Sequence, residues 1–251
     1  MIHMLPANTP VENEFCGIKN ISTQPGEQID FTVYYNVAGI YVNAGSAVFS
    51  NKLEKLNGRP VFHITGSGRS NAKYDWIFKV RDVYETYIDT MTMQPLLFSR
   101  DVHEGSTRKK ELVHFDHEKQ TATTDQKTFK FPLCTQDVLS AVYLARNLDF
   151  KKYKKGDKIP FTMFLENEVH NLYIRFMGYE TVETRYGKFK AIKFKPLLME
   201  GTIFSGGEKM TVWVTDDRNR IPVRIESQIL IGSIKVDMMK YKGLRYPLGG
   251  Q

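Results

Sequence analysis

Several groups of ionisable side chains in this chain have types and spacings that can do chemistry. Glu166, Glu168 and His170 alternate along the chain, so one strand face would carry two carboxylates and an imidazole, a set that can ligate a metal. Asp216 and Asp217 offer paired carboxylates of the kind used in glycoside hydrolysis. His114 with His117, and His103-Glu104 beside Arg100-Asp101, offer groups for proton transfer. Each set also has a structural reading, and that reading is preferred. Glu166-Asn167-Glu168 lies between two apolar runs as a hairpin tip, and His103-Glu104-Gly105 reads as another. His114 and His117 would face opposite sides of a strand, and Asp216-Asp217-Arg218-Asn219-Arg220 is good turn chemistry. Ser205-Gly206-Gly207 lacks the surroundings of a nucleophile elbow, and no phosphate-loop or dinucleotide fingerprint is present. Ser140 falls inside a predicted helix, together with Tyr143 and Arg146, where Arg146 is read as a partner for a sheet carboxylate. The expectation is therefore no catalytic residue, no metal ligand and no cofactor.

The elements that must position these side chains are mostly strands. Residues 208–239 read as three consecutive antiparallel strands. Met210, Val212 and Val214 share one face, then Ile221, Val223, Ile225, Ile229 and Ile231, then Ile234, Val236 and Met238. Lys209, Thr211, Arg224, Glu226, Gln228, Lys235 and Asp237 fall on the opposite faces, so this sheet turns one side to an apolar interior and the other to water. Further strands are predicted at 29–36, 40–51, 61–67, 94–103, 107–116, 121–131, 158–165, 169–178, 180–186 and 189–198. Turns are expected at Leu56-Asn57-Gly58-Arg59, Tyr186-Gly187-Lys188 and Gly232-Ser233. Two helices are predicted. Trp76, Val80, Val83, Tyr84 and Tyr87 have helical spacing after a Ser70 or Asn71 cap, and a helix over about 137–147 sets Val138, Ala141, Val142, Ala145 and Leu148 on one stripe after Thr135 or Asp137.

About a dozen strands at ~4.8 Å spacing would make a flat sheet roughly 55 Å wide. The two helices would span only about 25 Å and 16 Å. They cannot cover one apolar face of such a sheet, so the sheet must curl around them, close on itself or split into layers. The fold class expected is mainly β, a curled antiparallel sheet or open barrel-like form with two short helices. Residues 1–28, with Pro6, Pro10, Pro25 and Gly26, are expected to be an N-terminal arm, and residues 29–251 a single β-rich domain.

Bulk properties narrow the function classes. The net charge of +7 is spread over most strands. The densest basic run, Lys151-Lys152-Tyr153-Lys154-Lys155 before Gly156-Asp157, reads as a solvated loop, so no nucleic-acid partner is expected. No apolar run approaches the ~18 residues of a membrane span. Cys16 and Cys134 are the two cysteines. They fit no zinc spacing, and a disulfide between them stays open at this level. No secretory leader is visible at the start of the chain, which leaves a cytoplasmic protein or a mature exported one.

Three segments resemble the domain-of-unknown-function family 3108, a family of mostly exported bacterial proteins. They are residues 31–46 (FTVYYNVAGIYVNAGS), residues 137–149 (DVLSAVYLARNLD), and residues 212–226 (VWVTDDRNRIPVRIE) followed by Gly232-Ser233. The resemblance implies an exported, periplasmic protein with a curved antiparallel sheet. It also implies a distant likeness to the periplasmic lipoprotein-carrier fold, in which a half-open barrel cups acyl chains around a helical plug. The family has no established activity, so it brings no catalytic residue to this chain.

The leading functional expectation is binding or escort of a hydrophobic or envelope-derived ligand in the concave face of the sheet. Phe31, Val33, Tyr35, Phe161, Met163, Ile174, Phe176, Met210, Val212 and Ile225 would line it. A lipid or amphiphile would be the ligand, with basic rim residues on an anionic head group. The alternatives are a hydrolase of an envelope polymer and a scaffold for an envelope protein partner.

Overall fold

The computed structural model describes residues 15–37, 39–201, 203, 205–229 and 232–249. One antiparallel sheet of fourteen strands dominates it. Its first half is a meander in chain order: β1 (Gln28–Val37), β2 (Ile40–Leu56), β3 (Arg59–Ser70), β4 (Val80–Asp89), β5 (Pro95–Glu104), β6 (Thr107–Asp116), β7 (Thr121–Thr123) and β8 (Thr128–Lys130). On the other side of β1 the order is β16 (Ser233–Lys242), β15 (Pro222–Gln228), β14 (Met210–Thr215), β11 (Gly187–Pro196), β10 (Glu168–Thr184) and β9 (Lys158–Leu165). A small second pair, β12 (Leu198–Glu200) and β13 (Ser205–Gly207), projects between β11 and β14. Asn57 and Gly58 make the β2–β3 turn with φ of 51° and 79°, the left-handed values that a tight hairpin twist requires.

One α-helix, α1 (Val138–Ala145), connects the two halves. Asp137 caps it, accepting from the backbone N–H of Leu139 and Ser140 at 2.8 and 2.9 Å, while the Ser140 hydroxyl accepts from the Asp137 N–H at 2.8 Å. The helix lies against β3, β4 and β9, elements from both halves of the sheet. Leu139, Tyr143, Leu144, Leu148 and Phe150 pack among Ile64 and Ile88 on one side and Phe161, Leu172, Ile174, Phe194 and Val212 on the other. That cluster is possible only if the sheet curls round the helix as round a plug. No helix among the described residues is long and apolar enough to cross a membrane.

The helix predicted after Ser70 or Asn71 is absent. Ala72–Tyr74 forms one turn of 3-10 helix, and Val80–Asp89 is β4. Both faces of β4 are half-buried, which imitates a helical stripe. Tyr84, Thr86 and Ile88 point to the interior, while Tyr87 stacks on His63 with ring centroids 4.2 Å apart. Val, Tyr, Thr and Ile also favour the pleated surface over a helix. Two smaller corrections concern strand boundaries. Residues 169–186 are not two strands: β10 runs unbroken over 17 residues and bends at a bulge beside Gly178, whose φ is +96°. Residues 121–131 are not one strand but the β7–β8 hairpin. Ile231, expected on the face of β15, lies outside the described residues.

The lead-in to β1 is firmly attached. Cys16 is bonded to Cys134, with Cα atoms 5.3 Å apart, and Phe15 stacks on Phe161 at 4.7 Å. Asn147 at the end of the helix accepts from the backbone N–H of Ile21 and Ser22. Glu27 and Arg146 form a two-pronged ion pair at 2.6 and 2.8 Å, 0% and 3% exposed. Arg146 thus meets a carboxylate just before β1, not one within the sheet.

The two ends of the sheet, β8 and β9, are not hydrogen-bonded to each other. They meet through side chains. Phe164 of β9 sits fully buried among Phe98, Val113, Phe115, Ala122 and Phe131, 5.5 Å from the ring of Phe129. The chain between β8 and α1 fills the gap in the ladder, with Gln136 N–H donating to Thr162 O at 2.9 Å and Phe164 N–H to Gln136 O at 2.8 Å. At one end of this seam Glu166 accepts from Arg100 at 2.9 Å and Lys109 at 2.6 Å.

Candidate functional site

The structure brings most of the apolar residues predicted to line a pocket into one cluster. Phe161, Met163, Ile174, Phe176 and Val212 are buried against α1 and Phe150, with Met210 and Ile225 half-buried at the margin. Phe31 and Val33 belong to an adjoining cluster, and Tyr35 is half-buried on β1. Strand register explains the grouping. Val33, Val236, Ile225, Val212 and Phe194 are opposite one another in turn across five strands, so their side chains form one row. The adjoining cluster forms where the distal half of the β10–β11 hairpin brings Val182, Phe189 and Ala191 onto Phe31, Trp213, Val223 and Met238.

The ionisable sets are dispersed into structural duties. Glu166, at φ +53° in the β9–β10 turn, is held by Arg100 and Lys109, and His170 hydrogen-bonds the Leu165 carbonyl at 3.1 Å. His117 donates to the Pro95 carbonyl at 2.6 Å, and burial lowers its pKa. Asp217 accepts from Thr215 Oγ1 and from the N–H groups of Asn219, Arg220 and Gly249, so it organises the β14–β15 turn. Ser205 to Gly207 is β13. No group of three potential metal ligands occurs among the described residues.

One interior cluster went unseen because β4 was read as a helix. Register puts Asp82, Tyr84 and Thr86 on the same face as Val102, Arg100 and Phe98. Burial pushes the Asp82 carboxyl up to about 7, and the nearby Glu104 carboxylate adds to the rise. Burial also raises Tyr84 to about 12, with Asp82 contributing. Arg100 beside them pairs with Glu111 at 2.8 Å. Deeper in, Thr86 donates to the buried Asp137 at 2.5 Å. Burial holds Asp137 up at about 6 against the hydrogen bonds from Thr86, Ser140 and Leu139, which lower it.

A second site lies one row along from Val33–Val236–Ile225. Tyr34, Lys235, Glu226 and Thr211 are opposite one another in turn, and alternation puts them on the other face of the sheet. Beside them Arg224 grips Asp237 with two hydrogen bonds, at 2.7 and 3.0 Å. The tip of the β10–β11 hairpin closes one side with Glu183, Thr184 and Arg185, leaving a hollow of about 310 Å³ that Tyr41 also lines. The Arg185 guanidinium lies 5.3 Å from the Tyr34 ring centre, and the Lys235 ammonium lies 4.3 Å from that of Tyr41. Neither cation forms a salt bridge among the described residues, so each keeps its charge available over an aromatic ring. An adjoining hollow of about 370 Å³ shares Tyr41 and Lys235 and continues past Lys195, Lys209 and Glu226. Its far side is fixed by Glu208, whose carboxyl is held down at about 2 by hydrogen bonds from Arg175 and then Tyr173.

An incompletely closed, mainly β barrel around one helix is the class of fold that these features define. It is shared with the crystal structure of a β-barrel-like protein of domain of unknown function DUF1849 from Brucella abortus. That structure matches with a TM-score of 0.57 and 10% identity over 90% of this chain and 100% of the other. A crystal structure of a protein with a YmcC-like fold, from Bacteroides fragilis, aligns over 90% of this chain and 99% of the other, with 13% identity and a TM-score of 0.35. The chain itself belongs to the family described as protein of unknown function DUF3108, whose sequence model matches residues 30–239. No curated protein matches it.

Proposed function

We propose that this protein is a non-enzymatic binding protein of an exported, oxidising compartment such as the periplasm, and that it takes an anionic envelope molecule in the hollow beneath the β10–β11 tip. The observation that carries this reading is the pair of cations, Arg185 and Lys235, that face the hollow without a salt bridge among the described residues and stand over Tyr34 and Tyr41. A phosphate or carboxylate would meet the two cations, and the exposed Tyr41 ring would stack on a sugar or glycerol moiety. The Cys16–Cys134 disulfide supports the compartment, because such bonds persist where thiols are oxidised. In this reading residues 29–251 act as one β-rich domain, and the arm of residues 1–28 serves, through its described part, as a strap across the helix.

A second reading keeps a hydrophobic ligand in the concave face, on Phe161, Met163, Ile174, Phe176, Met210, Val212 and Ile225, with α1 displaced to admit it. Met199, Met210 and Leu165, half-buried at the margin of that core, favour it because thioether and leucyl side chains adapt to variable partners.

The deciding experiment is detergent-free purification from the native envelope beside an unrelated exported protein, then extraction and mass spectrometry. Wild type should carry an anionic amphiphile or glycan absent from the control, and a variant with Arg185→Ala and Lys235→Ala should lose most of it. A wild-type protein that comes out empty, or a variant that retains the species in full, overturns the hollow as the site. Retention by that variant with loss on Met210→Ser would move the ligand to the concave face.

A further inference from the structure

The loop between β3 and β4 ends in three consecutive large apolar side chains that point away from the molecule. Trp76 is 83% exposed, Ile77 63% and Phe78 42%. The loop is built to hold them there. Asp75 accepts from Ser70 Oγ at 2.5 Å and is clamped by Arg81 at 2.6 Å, across the base of the loop. Backbone N–H groups of Tyr74, Ile77 and Phe78 donate to carbonyls within it. Gly105 of the next turn lies against the Phe78 ring, where a Cβ would come within 2.8 Å, and its N–H donates to Lys79 O at 2.8 Å. A second apolar tip stands alongside, with Ile40 68% and Tyr41 51% exposed. The two tips are joined by the Asn71 N–H, which donates to Ala44 O at 2.7 Å.

Charge says what this edge meets. Arg69, Lys73, Lys79 and Arg108 are exposed on or beside the two turns, and none forms a salt bridge among the described residues. The one carboxylate inside the loop, Asp75, is already taken by Arg81. The result is an exposed run of Trp, Ile and Phe flanked by cations that carry no salt bridge among the described residues. An indole, an aliphatic chain and a phenyl ring between lysines is the chemistry that settles into the headgroup layer of a membrane carrying negative lipids.

We propose that the Trp76-Ile77-Phe78 tip inserts into the interfacial layer of an anionic lipid bilayer and brings this edge of the barrel onto the membrane surface. The test is co-sedimentation with vesicles of phosphatidylglycerol and phosphatidylcholine, against vesicles of phosphatidylcholine alone. The protein provides its own probe: of its two tryptophans, Trp213 is 7% exposed, so a change in emission on binding reports Trp76. Wild type should sediment with the anionic vesicles, shift its emission to the blue, and be released by salt. Trp76→Ser with Ile77→Ser, on a surface loop, should lower the partition roughly tenfold. Lys73→Glu with Lys79→Glu should remove the preference for phosphatidylglycerol. Absence of wild-type binding, or binding that survives the serine pair, overturns the proposal. So does a tip that leaves vesicles alone yet is needed to hold one defined protein partner. Because Arg185 and Lys235 are left intact in every variant, failure here is separate from failure of the hollow.

Discussion

At the scale of single residues, two interior ionisable groups dominate, with opposite consequences. Asp82 keeps its proton to about 7 in the folded protein against an ordinary value of 3.8, so between those limits the folded state binds more protons than the unfolded one. Stability from this group is therefore complete below about pH 4 and is lost as pH rises towards 7. His103, Glu104, Tyr84 and Arg100 are the groups that face or adjoin it. Asp82→Asn should flatten the decline and leave the variant about 1–2 kcal/mol more stable than wild type at pH 8, after allowance for water access. Urea midpoints from pH 5 to 8 check this, and parallel curves for the two proteins would refute it. Arg146 is the reverse case. Arg146→Leu leaves Glu27 buried without its partner and should cost about 3–5 kcal/mol, while adding Glu27→Leu should restore much of the loss. A single variant within about 1 kcal/mol of wild type would show that the pair is not dry.

Among the elements, the strap of residues 15–27 is the one whose attachment is covalent. The Cys16–Cys134 bond closes a separation of 118 residues, so it restricts the unfolded chain strongly. Replacing both cysteines by serine should lower stability by about 2–5 kcal/mol in urea, and wild type in reductant should fall to the same midpoint. How far the elements could be read from sequence depended on whether each had one wet face. Strands such as β14 and β15 and their turns were legible because period-two alternation survives there, and α1 because a helical stripe follows the capping candidates Thr135 and Asp137. The β4 strand was misread because Val80, Val83, Tyr84 and Tyr87 fit a helix when both faces of a strand carry apolar groups. The hollow was not legible at all. It sets Tyr34 of β1 beside Arg185 of the β10–β11 turn, and no local pattern in either segment reports a contact that distant in the chain.

For the whole molecule, the decisive property is how the sheet closes. Around most of its circumference neighbouring strands share backbone ladders, whereas β8 and β9 are joined by Phe164 and its ring contacts. Phe164→Ala should cost about 3–5 kcal/mol, the usual loss for a buried phenyl group. It should also raise hydrogen exchange at the backbone amides of positions 136 and 164, which bridge the gap, before exchange in β1 or β16. Uniform acceleration across the sheet would show that the seam does not act separately.

A cylinder laced on every side can change its bore only by unfolding, but one fastened along a single line behaves as a cuff. Parting Phe164 from its pocket and Glu166 from Arg100 and Lys109 would sacrifice side-chain contacts and the few bonds through Gln136, and leave every strand-to-strand ladder whole. The girth of this barrel is thus set by a clasp of side chains and not by a continuous ladder.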